Sequence, residues 1–72
     1  MSKQIQVTQV EIALLVGHAA NHEMSVIARR CKISEDKVGL MTYALRKRLG
    51  MGPLTSIREW ARENMNNLVV SL

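Results

Sequence analysis

A chain of 72 residues makes a single domain, one that buries only about 60% of the surface its unfolded form exposes, which leaves little room for an enzyme cleft. Apolar residues make up 47% of it, yet Tyr43 and Trp60 are the only aromatics, so the core must be aliphatic and an all-helical fold is favoured. The net charge of +4 is uneven: seven Lys or Arg lie between Arg29 and Arg48 against only Glu35 and Asp36, and the remainder sums to about minus one. No run approaches the roughly 20 apolar residues of a membrane span, and the first residues lack the basic-then-apolar order of a secretory signal. A cytoplasmic location is the expectation. Cys31 stands alone, without a partner for an internal disulfide or ligand spacing for zinc, so neither metal nor cofactor is expected.

Thr8 and Glu11 have the capping-box spacing, in which hydroxyl and carboxylate satisfy the orphan amides of a helix start. Apolar Ile12, Leu15, Val16 and Ala19 follow at helical spacing, and Asn21 tolerates the left-handed conformation that ends a helix, which predicts a first helix over 8–20. A second, over 24–31, places Met24, Ile27, Ala28 and Cys31 on one face and Ser25, Arg29, Arg30 and Lys32 outward. Ser34 then offers an N-cap, and Glu35 and Asp36 suit the positive end of a helix dipole.

That third helix, over 35–49, turns Val38, Thr42, Leu45 and Leu49 inward and leaves Asp36, Lys37, Gly39, Leu40, Tyr43 and Lys47 outside. Gly50 can close it, and Gly52 with Pro53 enforces a loop. Ser56 and Glu59 repeat the capping pattern for a fourth helix within 55–65, with Ile57, Trp60 and Ala61 on its apolar side. Residues 1–6 read as an N-terminal arm. Residues 66–72 read as an apolar tail carrying Leu68, Val69, Val70 and Leu72, which either packs on the domain or frays.

The segment 25–51 is thus a short helix, a tight turn and a longer basic helix, the outline of a helix-turn-helix. Together these residues resemble the LuxR/GerE-type helix-turn-helix of bacterial transcription regulators. The likeness runs without gaps over about 55 residues, from Val7 to Ala61. The family's opening corresponds to Thr8, Glu11, Leu14 and Leu15, and its second helix to Ile27, Ala28, Arg29 and Arg30. Its turn is Ile33, Ser34 and Glu35, its recognition-helix Val is Val38, its helix end is Leu49, Gly50 and Met51, and its last Thr is Thr55.

The resemblance implies a four-helix domain that binds double-stranded DNA, as a homodimer, in the cytoplasm of a bacterial or phage-bearing cell, and makes a free-standing regulator plausible. It implies base reading by Lys37, Gly39, Leu40, Tyr43 and Lys47 and phosphate anchoring by Arg29, Lys32, Arg46 and Arg48. A dimer contact on the last helix would use Ile57, Trp60 and Ala61. The departures are as informative. Where the family carries Lys and His along the start of its recognition helix, this chain has Gly39 and Met41; Ser25 and Leu54 replace a usual Lys and Arg.

Two readings follow. In one, the protein binds DNA with altered specificity, Leu40 touching a thymine methyl and Gly39 permitting close approach. In the other, the fold has lost efficient DNA reading and the protein acts by binding another transcription regulator or RNA polymerase. A sigma-factor-like promoter reader is a nearer competitor than a single-strand binder, which would need more exposed aromatics than Tyr43. No nucleophile, phosphate loop or metal constellation suggests an enzyme. Cys31 reads as a small buried hydrophobe, and His18 and His22 as helix-end residues.

Overall fold

In the computed structural model, which describes residues 4–70, the helices are α1 (Gln9–Ala19), α2 (Met24–Cys31), α3 (Glu35–Arg48) and α4 (Ile57–Asn64). Their ends lie within two residues of the expected ones because the local chemistry that marks them is formed. At α1 both halves of the capping box close: the Glu11 amide donates to Thr8 Oγ1 at 3.1 Å and the Thr8 amide to Glu11 Oε1 at 2.8 Å. Ser34 accepts from the Lys37 amide at 3.1 Å and Ser56 from the Glu59 amide at 3.3 Å.

The first three helices stop in the same way. Asn21, Lys32 and Gly50 take left-handed conformations (φ 58°, 60° and 72°). In each case the next amide reaches back five residues: His22 to Gly17, Ile33 to Ala28 and Met51 to Arg46, at 2.9–3.0 Å. Asn and Gly suit that conformation; Lys32 does not, since its Cβ crowds the following carbonyl. A three-residue turn, 32–34, follows from this sharp stop and delivers the chain into α3.

One aliphatic core joins all four helices: Leu14 and Leu15 from α1, Ile27, Ala28 and Cys31 from α2, Val38 and Leu45 from α3, Ala61 from α4, and Val7 ahead of α1. Buried Gly17 lets Ile27 of α2 lie against the α1 backbone; a Cβ there would sit 2.7 Å from Ile27 Cγ1. Arg62 of α4 donates through Nε to the Ala19 carbonyl at 2.8 Å, satisfying an end of α1 and complementing its dipole. The inward pattern needs two corrections. Val16 and Met24, at the margins of their apolar stripes, are exposed, and fully buried Leu14 takes the central place on α1.

The chain is mostly helical but not wholly so. Part of the expected arm and tail pairs: β1 (Ile5–Val7) and β2 (Leu68–Val70) form a two-stranded parallel sheet, with Ile5 opposite Leu68 and Val7 opposite Val70. A 3-10 turn at Met65–Asn67 links α4 to β2. Burial of Val7 and packing of Ile5 and Leu68 on the core draw the two segments together. Residues 1–3 and 71–72 of the arm and tail lie outside the described residues.

Candidate nucleic-acid interface

Helix α3 is divided lengthwise by its packing. Val38 and Leu45 are buried, Thr42 and Leu49 half-buried, and the opposite line carries Asp36, Leu40, Tyr43 and Lys47, four positions that recur on one face of a 3.6-residue helix. Leu40 is 71% exposed and Tyr43 61%, values that mark side chains with no role in holding the fold. The Lys47 ammonium sits 5.0 Å from the centre of the Tyr43 ring, a cation–π pair along the outer line. Lys37 lies exposed beside them. Gly39 is also exposed, and a Cβ added there would meet nothing within 4 Å. All five expected base readers therefore lie on the solvent side of one helix.

The expected phosphate anchors divide. Arg29 at the end of α2 and Lys32 at the left-handed turn are exposed, as is Arg30, which the sequence placed outward but not among the anchors; none of the three forms an ion pair among the described residues. Arg46 and Arg48 are engaged within the domain. Arg46 donates through Nη2 to the Gly52 carbonyl at 2.9 Å, pinning the loop after α3. Arg48 donates to Glu11 Oε1 at 2.7 Å and ties the end of α3 to the start of α1. Burial raises the Glu11 pKa, but the Thr8 amide and the Arg48 guanidinium outweigh it and hold the carboxyl below its ordinary value. Their structural duties were invisible to a charge count.

On α4, Ala61 is 0% exposed against α1 and has no surface to offer a second chain, which removes it from the expected interface. Ile57 is half-buried on the core. Trp60 keeps part of its ring accessible and, with Gln4, Ile5, Arg48, Leu49 and Asn64, lines an open cleft of about 310 Å³. Leu54, in the position where the resemblance expects an Arg, is fully solvent-exposed.

Both histidines stand at the end of α1, His18 in its last turn and His22 with its amide on the Gly17 carbonyl, but the His18 ring does not serve the helix terminus. Half-buried His18 reaches across to α3, its Nε2 lying 3.1 Å from Thr42 Oγ1, and burial lowers its pKa, favouring neutral imidazole over the cation that would complement a helix terminus. Cys31 is buried, with its Sγ 3.9 Å from the Val10 carbonyl, and desolvation raises its thiol pKa, which disfavours the thiolate. Among the described residues no three His, Cys, Asp or Glu side chains are grouped to hold a metal, and no helix is long and apolar enough to cross a membrane. Comparisons with protein-family models, curated proteins and solved structures return no match.

Proposed function

We propose that this domain is a transcription regulator that binds double-stranded DNA through a LuxR/GerE-type helix-turn-helix, with α3 in the major groove and no catalytic activity. The observation that carries the reading is the outer line of α3. It is the face of a helix, entered through a tight turn from a shorter helix, whose Lys37, Leu40, Tyr43 and Lys47 serve no core contact. Arg29, Arg30 and Lys32 supply exposed positive charge at the end of α2 and in the turn, suited to phosphates. A homodimer, using Trp60 and its surroundings, would set two such helices about 34 Å apart on a two-fold-related site and double a small interface.

The test is fluorescence-anisotropy binding of the chain to fragments from its own upstream region across a salt series. With Arg29, Arg30, Lys32 and Lys37 as the phosphate-neutralising set, log K should fall against log salt with a slope of about −3 to −4 per protomer. One fragment should be preferred throughout. Weak binding without preference at any salt overturns the reading. A second reading is favoured by the exposure of Leu40 and Tyr43: α3 would then dock on another transcription regulator or on RNA polymerase, and a pull-down against purified candidates would detect it.

A further inference from the structure

We infer that Gly39 and Leu40 form a reading element for thymine 5-methyl groups, so that the preferred site carries thymines opposite the middle of α3. The inference rests on the DNA-binding reading above. Gly39 is in the interior of a 14-residue helix, where glycine is the least favourable residue apart from proline, and nothing in the domain requires it. Its backbone dihedral is ordinary and the space where a Cβ would stand is empty. No packing need inside the domain accounts for the missing side chain, and on the exposed face of α3 its absence lets the helix backbone approach a target surface.

What that approach brings into contact is apolar. Leu40 follows directly, and Tyr43 lies one turn on with its ring covered on one side by Lys47. Neither Gly39 nor Leu40 has a donor or acceptor on its side chain, so neither can read guanine or adenine edges. The one major-groove feature that an aliphatic side chain distinguishes is the thymine methyl. An apolar row meant for a protein groove would continue along the helix. Here it is bounded by Asp36 and Lys47, and the ammonium groups of Lys37 and Lys47 supply the positive charge that suits a methyl patch set between phosphates.

The test uses the upstream fragment selected by anisotropy, synthesised in parallel with deoxyuridine in place of thymidine, which removes the methyls and keeps the base pairing. Affinity should fall about fourfold for each methyl in contact. Leu40→Ala should weaken binding to the thymine fragment and bind the two fragments equally. Gly39→Ala should raise the melting temperature, since the added methyl meets no neighbour, yet weaken binding about tenfold. Equal binding of both fragments by the unaltered protein, or a thymine preference that survives in Leu40→Ala, overturns the inference. So does a Gly39→Ala variant that binds as well as the parent. Failure of the unaltered protein to select any fragment is a different result: it overturns the DNA-binding reading itself and passes Leu40 and Tyr43 to a protein partner.

Discussion

Gly17→Ala should destabilise the domain, although the same change in an exposed helix would stabilise it. Alanine is favoured over glycine in a helix interior by about 1 kcal/mol. Against this, the new Cβ would lie 2.7 Å from Ile27 Cγ1 and 3.3 Å from its Cδ1, distances at which something must move. Ile27 is only 2% exposed and β-branched, so its rotamer is constrained and the strain passes to the α1–α2 packing, at about 1–3 kcal/mol. The balance is a loss of about 0–2 kcal/mol, or a fall of several degrees in Tm for a domain of this size. Ile27→Ala, which deletes the clashing atoms, should cost about 2–5 kcal/mol by leaving a cavity. In that background Gly17→Ala should change sign and stabilise, by about 1 kcal/mol from propensity plus what its methyl recovers by filling space. Urea unfolding of the four proteins measures the cycle. A stabilising Gly17→Ala in the parent, or the same effect in both backgrounds, would refute the close α1–α2 approach.

Lys32→Gly should stabilise the fold by up to about 1 kcal/mol by relieving a left-handed lysine, while Lys32→Ala should not; both should reduce the salt slope of DNA binding by about 1 if Lys32 contacts phosphate. Chemical denaturation and anisotropy on the same samples separate the two roles. Stability should fall as pH drops from about 7 towards 5.5, because half-buried His18 has its pKa held below the ordinary 6.5 and the unfolded chain binds a proton that the folded one resists. Thermal melts of the parent should show this slope and His18→Gln should flatten it; an unchanged slope would place its origin elsewhere. The window avoids Glu11, whose lowered pKa makes its own contribution disappear only below about its ordinary 4.5. Trp60→Ala should lower Tm through lost packing beside β1; if it also shifts a dimer to monomer in sedimentation at concentrations where the domain stays folded, the accessible part of the ring is an interface.

The helices were legible because their signals are local. Thr8 with Glu11, Ser34 and Ser56 each act within three residues, and Asn21 and Gly50 announce stops through their own conformational freedom. Lys32 gave no such signal, since its left-handed turn is imposed by the packing of Ile33 and its neighbours and not by its own preference. The strands were illegible for the opposite reason. Each spans three residues, their pairing joins the two ends of the chain, and a parallel pair leaves no hairpin turn to read. Ala61 shows a further limit: a small apolar residue on an amphipathic helix looks the same whether the facing surface is its own α1 or another protein.

Charge was the property most altered by folding. The basic window holds seven cations, but Arg48 is drawn to Glu11 across 37 residues, Arg46 to a loop carbonyl and Lys47 to an aromatic ring. Tyr43 and Lys47 are neighbours by helical spacing, but no spacing reveals the Arg48–Glu11 pair, because those partners meet only once the core has brought α1 and the α3 terminus together. What remains freely exposed is Arg29, Arg30, Lys32 and Lys37, grouped at the turn and at the start of α3. An interface built on these would be electrostatically modest at the phosphates, and since phosphate contacts carry no sequence information its discrimination would fall to the outer face of α3. The salt slope and the response to methyl removal are therefore linked. A shallow slope with strong thymine dependence fits this division of labour, whereas a slope steep enough to need all seven cations would require Arg46 and Arg48 to leave their intramolecular partners on binding.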